Sequence, residues 1–275
     1  MNIKTIMLAA TVFAGLAAFA ADAKEQAKVE NWLMQTNGIE KLVQKTDGKL
    51  PDVFIVGDSI SLGYTPVVQK LMKDKANVTR PPTNCGSSYH YIMPTKKTGD
   101  KMPMETWVGD KHYNVIVVNF GIWDNHYNAG PKNGVSLWSI KGAIKKLQTA
   151  GKATTPEYLS LDAHARHKIR TPINEYEANL RKILPYLKEH ADKVLFCLTT
   201  PVPEWLACDG FGRVRVYNEM AEAVCAELGV GVIDLYTVAE QNYDKYSHDG
   251  VHFQAAGYKL LAEEVVKGIE AALKK

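Results

Sequence analysis

The sequence predicts an α/β fold, a parallel sheet of five strands with helices on both faces. Three observations carry that reading. Short apolar runs rich in β-branched residues recur at Asp52–Val56, Tyr113–Val118, Lys193–Leu198 and Gly229–Asp234. Their nearly continuous hydrophobicity suits strands buried on both faces. Longer stretches with apolar residues at three- and four-residue spacing lie between them, and strand-then-helix repetition builds a parallel sheet because the crossover lays each helix back on the strands.

In chain order, the first run leads into a helix predicted over about Thr65–Lys75. A weaker strand, Ala76–Arg80, follows and is stopped by Pro81-Pro82, which can neither donate to a ladder nor continue it. Amphipathic spacing predicts further helices over Ser136–Ala150, Ile173–His190, Val214–Leu228 and Ala255–Lys274. No internal repeat, low-complexity tract or Pro/Gly/Ser-rich linker divides residues 24–275, so one domain is expected there. With 275 residues, 46% hydrophobic and 23% charged, the chain can bury a sufficient core without staples. The net charge of +3, with no dense Lys/Arg block, argues against a nucleic-acid partner.

Residues 1–23 have the layout of a secretory signal peptide: Lys4, an apolar run from Ile6 to Phe19, then small residues through Ala23. A spanning helix needs about 20 apolar residues, so no stable membrane anchor is expected, and the destination is periplasmic or extracellular. In such an oxidising space Cys85, Cys197, Cys208 and Cys225 allow three complete pairings, among which the sequence does not choose. None shows C-x-x-C spacing, and Cys197, inside an apolar run, reads as a buried free thiol.

Open parallel sheets bind ligands at the carboxyl ends of their strands, so chemistry is sought just after each run. After the first comes Gly57-Asp58-Ser59, placing the Ser59 hydroxyl at a tight turn near a helix N-terminus, where developing negative charge is favoured. Alone, this is ordinary turn and N-cap chemistry. The partner segment is Ser247-His248-Asp249-Gly250-Val251-His252: Asp249, three residues before His252 in a tight loop, can hold imidazole Nδ1 and leave Nε2 free to take a serine proton. His248, Asp249 and His252 could bind a metal if they shared a helix face, but the Asp-Gly step favours a loop, so no metal is expected.

Together these two segments resemble the SGNH hydrolases, or GDSL esterase/lipase family, whose first block is Gly-Asp-Ser and whose last is Asp-x-x-His; the resemblance runs from about Asp52 to Leu273. It implies a three-layer α/β/α, flavodoxin-like five-stranded sheet, with Ser59 as nucleophile, His252 as base and Asp249 orienting it. It also implies an oxyanion hole from the backbone of Ser59 and of Gly86, within Arg80–Ser88. The family's third block, usually Gly-x-Asn-Asp, reads Asn119-Phe120-Gly121-Ile122-Trp123-Asp124-Asn125, with Trp123 where the Asn would be. Asn119, at the strand end, is the first candidate for the missing side-chain donor and Asn125 the second.

Trp123, His126 and Tyr89, with His90, Tyr127 and Trp205, offer aromatic and polar surface along the same edge, which suits stacking against a sugar. The expected function is a secreted serine esterase acting on short esters of carbohydrates, acetyl foremost, with no cofactor. The alternatives are a lipase or acyltransferase of the same fold, or a non-catalytic carbohydrate-binding protein.

Overall fold

The computed structural model describes residues 48–95, 97–125, 171–202, 210–247 and 249–274. The signal-peptide reading, the helix expected over 136–150, and the candidates His126, Tyr127, Trp205, Cys208 and His248 lie outside them.

Five strands form one sheet: β1 (Asp52–Gly57), β2 (Asn77–Thr79), β3 (Tyr113–Asn119), β4 (Ala191–Cys197) and β5 (Gly231–Ile233). Their order is β2-β1-β3-β4-β5 and every pairing is parallel, so the sequence reverses direction beside β1. That reversal opens a crevice at the carboxyl ends of β1 and β3, where doubly wound sheets take their ligands. The register sets Gly57 opposite Asn119, two residues before Ser59.

The central strands are buried as their sequences predict, with Val53, Ile55, Val56 and Val115 to Val118 fully inaccessible. β5 departs from the expectation. It spans three residues and leaves Val232 41% exposed. Being the last strand in the order, it has one neighbour and one open edge, so its apolar run does not mean burial on both faces.

The described helices are α1 (Ser59–Leu71), α2 (Ser88–Ile92), α3 (Pro103–Val108), α4 (Ile173–Glu189), α5 (Gly210–Leu228), α6 (Leu235–Glu240), α7 (Tyr243–Tyr246) and α8 (Ala255–Leu273). α1 packs on α8, while α4 packs on α5 and α2. α4 and α8 match their predicted spans within one residue. α1 starts six residues before its predicted position and ends four before its predicted end. Ser and Gly in Ser59–Gly63 weaken local helix preference, but Asp58 caps the first turn through Ile60 N–H (3.0 Å) and tertiary packing does the rest. Gly63 is required by that packing: a Cβ there would stand 2.1 Å from the Tyr258 ring of α8.

Candidate active site

The Ser59 turn is built by the end of β1. Asp58 N–H donates to Asn119 O (3.1 Å), which holds the strand exit against β3, and the Asp58 carboxylate caps the helix that begins at Ser59. As the first helical residue, Ser59 leaves its own N–H without an intrahelical acceptor, and it is 3% exposed.

The histidine arrives on the loop between α7 and α8. Asp249 Oδ1 accepts from both Val251 N–H (2.9 Å) and His252 N–H (2.7 Å), a local turn that an Asp-Gly-Val-His sequence forms by itself. Tyr243 OH donates to Gly250 O (2.7 Å), and Ser247 bridges to Phe253, so the loop is closed at its base. Asp249 Oδ2 then lies 2.8 Å from His252 Nδ1, and His252 Nε2 lies 2.9 Å from Ser59 Oγ.

The direction of these bonds follows from chemistry. A carboxylate only accepts, so Nδ1 carries a proton, and in the neutral imidazole Nε2 is then the acceptor to which the Ser59 hydroxyl donates. Burial opposes the charge on Asp249, yet the bonds from His252 and the two backbone N–H groups outweigh it and hold the carboxyl well below the usual carboxylate range. Asp249 therefore stays ionised across neutral pH. Ser59, His252 and Asp249, nearly 200 residues apart in sequence at the extremes, form one hydrogen-bonded relay.

The expected oxyanion donors surround Ser59 to different degrees. Gly86 takes a left-handed conformation (φ +64°), and a Cβ there would meet His90 Nδ1 at 2.7 Å. Its N–H donates to Asn84 Oδ1 (3.0 Å), an acceptor with which an oxyanion would have to compete. Asn119 is 2% exposed at the head of β3, with Oδ1 buried and unpartnered. Asn125 instead turns its amide N–H onto Gly121 O (3.0 Å), which commits that donor to its own loop. Of the two side chains expected as donors, Asn119 is the one without such a commitment.

Trp123 is half-buried against the core and meets the His90 ring edge-on, with centroids 6.1 Å apart. His90 Nδ1 accepts from Ser87 N–H (3.0 Å), and Tyr89 is half-buried beside it. Cys85, Cys197 and Cys225 are buried free thiols, as read for Cys197, and burial pushes the Cys85 and Cys197 thiols up to about 12. Among the described residues no cluster of His, Cys, Asp or Glu is arranged to hold a metal, and no helix is long and apolar enough to cross a membrane.

Two residues that sequence reasoning did not single out stand behind the site. Asp124 accepts from Ser88 N–H through both oxygens (3.1 and 3.0 Å) and from Ser88 Oγ (2.6 Å), tying the block after β3 to the start of α2. Asn179 Nδ2 of α4 also donates to that Ser88 hydroxyl (2.8 Å). Arg80, buried at the end of β2, donates to acceptors on both sides of the Ser59 turn. A sequence signal existed for Asp124, the acidic end of Gly-x-x-Asp. For Arg80 there was none, since an arginine at a strand end ordinarily reads as solvent-exposed.

Among curated relatives, the GDSL esterase/lipase WDL1 of Oryza sativa subsp. japonica is 27% identical over 37% of this chain and 45% of its own length. The GDSL esterase/lipase At2g38180 of Arabidopsis thaliana is 30% identical over 38% of each chain. The chain thus spans less than half the length of these relatives in the matched stretches. Axe2, an acetylxylan esterase from Geobacillus stearothermophilus, superposes with a TM-score of 0.51 at 14% identity, covering 80% of this chain and 94% of Axe2, a likeness of fold. Residues 55–260 match the GDSL-like Lipase/Acylhydrolase family, three quarters of the chain from β1 into α8, and the protein belongs to that family.

Proposed function

We propose that the protein is an exported serine esterase that removes short acyl groups, acetyl foremost, from carbohydrates. The observation that carries the catalytic part is the relay of Ser59, His252 and Asp249 at 2.9 and 2.8 Å, the spacing that nucleophilic catalysis needs. Ser59 Oγ attacks the ester carbonyl as His252 Nε2 takes its proton, and Asp249 stabilises the resulting imidazolium. Collapse of the tetrahedral intermediate breaks the bond to the leaving alcohol, which receives that proton. Water then adds to the acyl-enzyme by the same steps and releases the acid. Negative charge on the carbonyl oxygen falls to the N–H groups of Ser59 and Gly86 and to the Asn119 amide. None of these steps calls for a metal or organic cofactor.

The carbohydrate acetyl ester is supported by the likeness to an acetylxylan esterase and by the ring surface of Trp123, which meets His90 edge-on; Tyr89 and His126 are the further candidates the sequence offers. Export is supported by residues 1–23, and one domain over 24–275 by the span of the family match.

The test is release of p-nitrophenol from p-nitrophenyl acetate and p-nitrophenyl octanoate by the wild type and Ser59→Ala, with EDTA as control. Turnover of the acetate that Ser59→Ala abolishes and EDTA leaves intact is expected, with the octanoate slower. Equal, slow rates in wild type and variant would overturn the esterase reading and leave acceptor-dependent transfer or binding alone.

A further inference from the structure

Arg80 is 2% exposed and forms no ion pair with a carboxylate among the described residues. All its hydrogen bonds go to neutral acceptors: Nη2 to Gly57 O (3.3 Å) and Thr83 O (3.1 Å), Nη1 to Ser61 Oγ (3.2 Å) and Thr65 Oγ1 (3.3 Å), Nε to Pro81 O (3.3 Å). Burying a cation against neutral oxygens is costly, and an apolar side chain of similar volume would fill the same space more cheaply. What an apolar residue could not do is hold two segments in register.

The acceptors fall into two sets. Gly57 and Ser61 stand two residues before and two after Ser59, and Ser61 Oγ also donates to Asp58 O (2.7 Å). Thr83 is three residues before Gly86. The same Gly57 carbonyl accepts Cys85 N–H (3.1 Å), so the loop is pinned to the strand end by one backbone bond and by the guanidinium beside it. A planar fork with five fixed donors can hold both sides at once, which an ammonium cannot.

We infer that Arg80 is a positioning residue for the esterase reaction: its guanidinium fixes the Thr83–Gly86 loop against the Ser59 turn, and so sets the spacing of the two backbone N–H groups that receive the oxyanion. This rests on the serine-esterase reading above. The charge develops only as the tetrahedral intermediate forms, so loosening the loop lowers kcat and leaves ground-state binding nearly unchanged.

The experiment uses the full chain with p-nitrophenyl acetate and compares wild type, Ser59→Ala, Arg80→Met, Arg80→Lys and Thr65→Ala. Active sites are counted with a fluorophosphonate and folding is checked by near-UV circular dichroism. Arg80→Met is expected to lower kcat per active site about 100-fold with KM within about threefold, since a displacement of order 1 Å can cost that much. Arg80→Lys recovers only part of the loss. Thr65→Ala, which keeps the guanidinium and removes one anchor, lowers kcat about fivefold with the same split. The pH–rate profile keeps its shape in all of them, because the bonds of His252 and Asp249 are untouched.

A folded Arg80→Met with wild-type kcat per active site overturns the proposal while leaving the esterase reading standing. So does a loss explained wholly by fewer active sites. If Arg80→Met does not fold, an unchanged kcat in Thr65→Ala overturns it. A wild type without Ser59-dependent turnover overturns the esterase reading and this inference with it.

Discussion

Replacing Asp58 by Asn should stabilise the protein increasingly as pH rises from about 4 to about 7. Asp58 is fully buried; Oδ1 caps Ile60 N–H at 3.0 Å, while Oδ2 has no partner among the described residues. Burial pushes the carboxyl from its ordinary 3.8 to about 7; the Ile60 N–H and the Arg80 charge oppose that shift and Asp124 adds to it. In the unfolded chain the proton leaves near the ordinary value, while the folded state keeps it to about 7. Between those limits unfolding releases a proton, and the wild type loses about 1.4 kcal/mol of stability per pH unit, about 4 kcal/mol over the whole window, with no further loss above it. Asn titrates in neither state and retains the capping oxygen. Urea unfolding of wild type and Asp58→Asn at about pH 4.5 and pH 8 isolates the effect, because every other group cancels in the difference between the two proteins. The variant should gain about 3 kcal/mol on the wild type from the lower pH to the higher. A difference that stays constant, or shifts towards the wild type at the higher pH, would refute the argument that this carboxyl is held neutral by its burial.

Asp249→Asn should lower kcat on p-nitrophenyl acetate about 10⁴-fold, roughly 5 kcal/mol, because an amide N–H facing Nδ1 forces the proton onto Nε2 and leaves Ser59 Oγ without its acceptor. The same variant should be less sensitive to acid: a carboxyl held below its ordinary range stabilises the fold above that range and loses the contribution as pH falls, so the gap in urea midpoint between wild type and variant should narrow towards acid pH. Asn119→Ala should reduce kcat about 10²- to 10³-fold with little change in KM if its amide meets the oxyanion, whereas Asn125→Ala, whose N–H serves Gly121 O, should leave kcat nearly unaltered once folding is confirmed.

Much of this architecture was readable before any coordinates. β1 and β3 are apolar through their centres, Val53–Val56 and Val115–Val118, because both faces are covered there, and α4 and α8 carry a clean helical period because each lies on the sheet with one side in water. Asp-Gly-Val-His encodes its own turn, so the contact between Asp249 and His252 could be read from a spacing of three. β5 and α1 were read less well for the same kind of reason. Local composition does not reveal that a strand will be last in the order, nor that Ser59–Gly63 will be held helical by the Asp58 cap and by the Tyr258 ring closing over Gly63.

What the sequence by itself determined is the residue inventory of the candidate site: a serine after the first strand, an aspartate and a histidine three residues apart before the last helix, and an asparagine at the end of the third strand, with Gly86 added by the family resemblance. The serine, the Asp/His pair and the asparagine are short-range patterns, fixed by turn chemistry and by the position of apolar runs. Tertiary structure decided which of them meet. The sheet order sets Gly57 against Asn119, the closed loop before α8 carries His252 Nε2 to 2.9 Å from Ser59 Oγ, and Asn125 is turned away onto Gly121 O. Arg80 was invisible in the sequence because its role exists only in three dimensions: one guanidinium reaching five acceptors that come together when β1, α1 and the Thr83–Gly86 loop pack around it.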